Sequence, residues 1–219
     1  MHGFTPFDMI LEAYREGVFP MAESAEDEGF AFYKPHVRGL IPIEKLHISH
    51  SLLKTLRHKK FRVTFNTAFA QVIAGCAQPS LKRDKTWINA PIQYIFNALH
   101  GEGHAHSVEV WDGDELAGGI YGLAIGGVFC GESMFSVERD ASKVALAYLC
   151  ALLWKAGFTL LGTQFINPHL LQFGAYEMPQ SEYEALIRVE MGKEVSITEA
   201  AAIGLKEILE DYLANRKSQ

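Results

Sequence analysis

The chain has 219 residues, 48% of them hydrophobic and 21% charged, with a net charge of -6. That supports one good-sized core, or a core plus a small extra domain. The longest apolar stretch, Val144 to Trp154, falls well short of the roughly 18 residues a membrane span needs, and the first residues lack the basic region and apolar core of a secretory signal, so a soluble, cytoplasmic protein with no membrane partner is expected.

In chain order, helical spacing from Phe7 to Arg15 is followed by an acidic, turn-rich loop to Gly29 and by proline-interrupted extended segments to Ile43. These make a small N-terminal unit, residues 1–46. Next come a capped helix from Ser49 to His58, the strand FRVTF, a helix from Ala68 to Ala77 and another from Pro91 to Gly101 with proline near its first turn. A meander follows: AHSVEVW, a turn at DGD, ELAGGIYGLA, a turn at IGG, and VFCGESMFS; the Asp-Gly between alternating apolar runs is a hairpin signal. An apolar helix from Ser142 to Lys155 leads to the strand TLLGTQF. Short helices at Asn167 to Phe173 and Ser181 to Val189 complete a main domain of residues 47–190, and an amphipathic helix from Ile197 to Asn215 forms a C-terminal extension, residues 191–219. The fold class is α+β. The order of elements resembles that of GNAT-type acyltransferase folds.

Several residues carry candidate chemistry. His100, His104 and His106 mix helix and strand geometry and have no second ligand cluster, so helix-end and strand-lining roles are preferred to a metal site. Cys76, Cys130 and Cys150 read as reduced, packed thiols, and Cys130 has no sequence-adjacent base to make it a nucleophile. The glycines of GGIYGLAIGGVFCG form no phosphate-cradling pattern before a helix. An acyl-CoA enzyme would want a glycine-rich helix start after the meander; SVERDASKVA has none, which points to another acyl carrier. Glu132 is a carboxylate in an apolar strand and either pairs with a neighbour or faces a functional cavity; the cavity is the favoured reading. Gln164 stands at a strand end, where it either serves a site or caps the next helix. From Lys34 to Lys85 basic residues, Arg38, Lys59, Lys60 and Arg62 among them, far outnumber the acids Glu44 and Asp84, so a nucleic acid is the first partner to test.

The motifs YREGVFPM, LHIS, TWINA, GHAHSVEVW, GGIYGLAIGGVFCGESMFS, ASKVAL, TQF and FGAYEMP stand in the order of the leucyl/phenylalanyl-tRNA-protein transferase family, and the chain resembles that family from about Ile10 to Leu186. The resemblance implies a small N-terminal α/β domain joined to a GNAT-like domain, and transfer of Leu, Phe or Met from aminoacyl-tRNA to the N-terminal Arg or Lys of a protein, marking it for degradation, without metal or other cofactor. It also implies catalytic roles for Gln164 and Glu132, an aminoacyl pocket of Ile120, Leu149, Leu153 and Leu161, tRNA 3′-end contacts at Trp87 and Tyr33, backbone contacts at Lys59, Lys60 and Arg62, and a monomer. The chain departs from the pattern at Gly162, where the family usually has aspartate, and at Val137, Pro91 and the Phe32–Tyr33 stretch. Two other functions stay open: aminoacylation of a different amine, and a catalytically silent module that binds aminoacyl-tRNA or an N-degron.

Overall fold

The computed structural model describes residues 6–58, 60–79 and 86–216. Helix α1 (Pro6–Arg15) leads into an antiparallel ribbon of β1 (Phe19–Met21) and β2 (Ala31–Tyr33). Strand β3 (Val37–Ile41), helix α2 (His50–His58), strand β4 (Arg62–Phe65) and helices α3 (Phe69–Ala77) and α4 (Ala90–Gly101) follow. The meander is β5 (Ala105–Asp112), β6 (Glu115–Ile125) and β7 (Val128–Ser136). After it come α5 (Ala141–Ala156), β8 (Leu160–Thr163), α6 (Pro168–Leu171), β9 (Tyr176–Pro179), α7 (Gln180–Glu190), α8 (Ile197–Ala201) and α9 (Leu205–Asn215).

The central sheet has seven strands in the order β4-β5-β6-β7-β8-β3-β9, which makes the expected α+β class correct. Its pairs are antiparallel except β7 with β8, which run parallel. Strand β3, from the stretch before residue 46, enters between β8 and β9, with Gly39 opposite both Thr163 and Glu177. The early chain thus supplies an interior strand of this sheet as well as the β1–β2 ribbon.

Apolar layers cover both faces. Helix α5 lies against β5, β6 and β7 on one side and meets α2, α8 and α9 on the other. Enclosed between layers, it is apolar almost all round, as a fully buried helix must be, and Leu146, Leu149, Cys150, Leu152 and Leu153 are all buried. Each such leucine contributes about 1.5–3 kcal/mol by burial. Helices α3 and α4 cover the opposite face of the meander. Strand β6 is squeezed between these layers: a Cβ on Gly118 would come within 2.8 Å of the Ala141 Cβ, and one on Gly119 within 3.0 Å of Val72.

Two expectations change. The C-terminal helix is broken into α8 and α9 at Gly204, whose φ of +119° is a backbone state that side chains resist. Strand β9 lies where a loop was read between two helices; its exposed Tyr176 and Glu177 give no alternating apolar signal.

Candidate functional site

The site exists because β7 and β8 part. They pair at Val128–Leu160, Phe129–Leu161 and Cys130–Gly162. Glu132 and Gln164 each stand two residues beyond the last pair and so project from the mouth of the opening. They bridge it: Gln164 Nε2 donates to Glu132 Oε2 at 2.7 Å, and Tyr14 Oη, arriving from α1, donates to Oε1 at 2.7 Å. A cavity of about 310 Å³ opens beside this bridge. Ile41, Ile120, Met134, Leu146, Leu161 and Leu170 give it an apolar body, Glu132, Ser133, Thr163, Gln164 and Asn167 a polar side, and Met21, Trp87, Gly131, Phe165 and His169 complete its lining. Asn167 also caps α6, accepting from the Leu170 N–H at 3.0 Å. One apolar chamber with a few convergent polar groups is the usual form of a small-ligand site.

Burial raises the Glu132 carboxyl from its ordinary 4.5 to about 7; the Tyr14 hydrogen bond, the Arg38 charge and the Gln164 hydrogen bond each oppose that rise. Arg38 is 1% exposed. Its guanidinium lies 4.7 Å from the centre of the Phe19 ring and 5.0 Å from that of Tyr183, and its Nε and Nη1 have no hydrogen-bond partner among the described residues. Beside it is Gly162: a Cβ there would lie 3.2 Å from Tyr183 Oη and 3.8 Å from Arg38 Nε. The glycine therefore stands where a longer side chain would reach this guanidinium.

The residues singled out from the sequence fall into three groups. Glu132, Gln164, Ile120, Leu161 and Trp87 are brought together at the cavity. Leu149 and Leu153 are not among its lining residues: both are buried in the packing of α5, and Leu146, one turn earlier, takes the wall position. The correction has a simple cause, since residues three or four apart share a helix face and the sequence does not say which turn reaches the opening. Tyr33 lies outside the lining, half stacked on Phe19 at 6.4 Å. Among the basic residues, Lys60 is exposed and paired with Asp112 and Glu138 at 3.6 and 3.3 Å, Arg62 lies over the Trp111 ring at 4.9 Å, and Lys59 is outside the described residues. Arg38 cannot join an exposed basic surface, because it is buried. Tyr14 was missed altogether; the YREG motif held it, but only the fold brings α1 to Glu132.

The histidines sit in local packing. His100 stacks on Phe69 at 4.3 Å and its Nδ1 lies 2.8 Å from the Ala105 carbonyl, while His106 Nδ1 is 2.9 Å from the Asn66 amide nitrogen. All three cysteines are buried and outside any disulfide, as expected. No helix among the described residues is long and apolar enough to cross a membrane.

A chamber for an apolar group, closed on one side by a hydrogen-bonded carboxylate and amide, is suited to holding an apolar acyl group next to an amine. The sequence pattern of the leucyl/phenylalanyl-tRNA protein transferase family matches residues 40–188. Relatives with the name leucyl/phenylalanyl-tRNA–protein transferase include one from Afipia carboxidovorans, 50% identical over 180 residues, which cover 82% of this chain and 79% of the relative. One from Novosphingobium aromaticivorans is 47% identical over 208 residues (95% and 79%), and one from Nitrobacter winogradskyi is 50% identical over 184 residues (84% and 82%). The chain belongs to the leucyl/phenylalanyl-tRNA protein transferase family.

Proposed function

We infer that this protein is an aminoacyltransferase that moves Leu, Phe or Met from charged tRNA to the N-terminal Arg or Lys of an acceptor protein in the cytoplasm, in the manner of N-end rule tagging. The observation that carries the reading is the cavity itself: an apolar body for the aminoacyl side chain, with the Glu132–Gln164 bridge at its polar side. An aminoacyl ester is already activated, so the protein's work is to position the ester carbonyl against the acceptor amine, and positioning alone supplies several kcal/mol of the barrier. The Gln164 amide orients by hydrogen bonding; a neutral amide cannot itself take a proton. The carboxylate of Glu132 attracts a basic acceptor. In this reading Trp87, which lines the cavity, packs against the terminal adenosine, with Tyr33 further out, and exposed Lys60 and Arg62 serve the phosphate backbone. The parallel β7–β8 pair that opens after Gly162 supports a GNAT-like main domain.

Gly162 leaves the acceptor side with less negative charge than the family pattern implies, which favours a weaker preference for basic N-termini. Incubation of the protein with Phe-tRNA and peptides starting with Arg, Lys or Ala, read by mass, tests the assignment. A Phe added to the Arg- and Lys-started peptides supports it. Bound Phe-tRNA without any product would assign the chain as a binding module instead.

A further inference from the structure

With glycine at 162, the buried part of the site has, among the described residues, one carboxylate, Glu132, and one guanidinium, Arg38. Arginine keeps its charge in proteins, and a buried charge without a partner is costly. Among the described residues Arg38 forms no ion pair, and two of its nitrogens have no hydrogen bond, so the charge that balances it is Glu132, acting across the low-dielectric interior. The other groups around the pair do not compete. Tyr14 from α1 and Gln164 after β8 donate to Glu132. Cys130, two residues before Glu132 on β7, and Tyr183, from α7, lie 3.9 Å apart beside the guanidinium. Burial pushes the Cys130 thiol up to about 11 and raises both tyrosines, so all three are neutral near pH 7.

Each Glu132 oxygen accepts one of these two hydrogen bonds and retains a lone pair, and the carboxylate lines the cavity in which the reacting groups would meet. On the transferase reading above, we propose that Glu132 takes the proton from the attacking amine, and that Arg38 is the positioning residue that holds Glu132 charged for that task. The acceptor's α-ammonium gives one proton to the carboxylate. The amine nitrogen then forms a bond to the ester carbonyl carbon, the carbon–oxygen bond to the terminal ribose breaks, and a second nitrogen proton ends on the released ribose hydroxyl. Glu132 returns its proton to water, and the products are an amide and uncharged tRNA.

The test is single-turnover transfer of Phe from Phe-tRNA to an Arg-started peptide over a pH series. In the wild type the rate rises about a midpoint near 7, where Glu132 loses its proton. Arg38→Met removes the opposing charge and moves the midpoint up, whereas Arg38→Lys keeps it close to wild type. Gly162→Asp adds a carboxylate that pairs with Arg38 and repels Glu132, so it also moves the midpoint up with Arg38 still present. Glu132→Gln slows transfer about 10²- to 10⁴-fold, and the remaining pH dependence follows the amine's own titration at about 7.7–8.0. If Arg38→Met does not fold, Gly162→Asp decides: an unmoved midpoint there overturns the Arg38 role. A Glu132→Gln rate within about tenfold of wild type overturns the Glu132 role. Product formation with unmoved midpoints defeats this pairing alone, while Phe-tRNA binding without product in the wild type defeats the transferase reading as well.

Discussion

Placing a carboxylate at position 162 should stabilise the protein through Arg38. A Cβ on Gly162 would lie 3.8 Å from Arg38 Nε, within reach for a carboxylate oxygen further along the side chain, and 3.2 Å from Tyr183 Oη, which must move by a few tenths of an ångström. A hydrogen bond to a charged group is worth about 1.5–3 kcal/mol, and breaking a buried ion pair costs about 3–5 kcal/mol, which sets the ceiling. A net gain of about 1.5–3 kcal/mol at pH 7 is therefore expected for Gly162→Asp. Paired with Arg38, the new carboxyl has its folded pKa depressed, so the gain is present above its unfolded pKa of about 3.9 and is lost as pH falls through the folded value. Urea unfolding of wild type, Gly162→Ala, Gly162→Asp, Arg38→Met and the Gly162→Asp/Arg38→Met pair separates the terms. Gly162→Ala reports the cost of the Cβ against Tyr183, and the double variant reports the coupling. If Gly162→Asp is destabilising by the same amount with and without Arg38, the steric term governs and the electrostatic reasoning is refuted.

The α5 packing separates two leucines by role. Leu146→Phe fills part of the cavity wall and should reduce Phe transfer more than Leu transfer, whereas Leu153→Ala should cost about 2–5 kcal/mol of stability and leave the Phe-to-Leu transfer ratio unchanged, by urea unfolding and donor competition. His106 is lowered from 6.5 to about 4, by burial first and then by the charges of His100 and His104. Its neutral form is the folded one, so it contributes about 3 kcal/mol that is present above pH 6.5 and lost as pH falls through 4; His106→Gln should flatten stability over that window in acid titrations. Replacing Lys60 and Arg62 by Gln should make the salt dependence of tRNA binding shallower, by about 0.7–0.9 in log–log slope for each phosphate these side chains neutralise, measured by filter binding over a salt series.

The polar end of the candidate site was legible because Glu132 is a carboxylate inside an apolar strand and Gln164 a polar residue just past the end of another, an anomaly that burial alone does not excuse. The meander and its turns were legible for a similar local reason, the alternation of β5 and the Asp-Gly turn after it. Arg38 was misread because a lysine- and arginine-rich stretch looks like a surface, and only the pairing of β3 between β8 and β9 puts that one position inside. Tyr14 was invisible for a different reason: it is 118 residues from Glu132, and nothing local announces a partner at that distance. The wall residue Leu146 differs from Leu149 and Leu153 only by its place along one helix, and all three are equally apolar.

The most direct measurement of the central claim, that an apolar aminoacyl group occupies the cavity beside Glu132 and Gln164, is donor selection by the wild-type protein. Leu-, Phe-, Met- and Lys-tRNA are offered at equal concentration with an Arg-started peptide, and single-turnover products are read by mass. An apolar chamber discriminates by fit and by the cost of desolvating a charge. The account predicts transfer of Leu, Phe and Met with Lys excluded; transfer of Lys at a rate equal to that of Leu would contradict it.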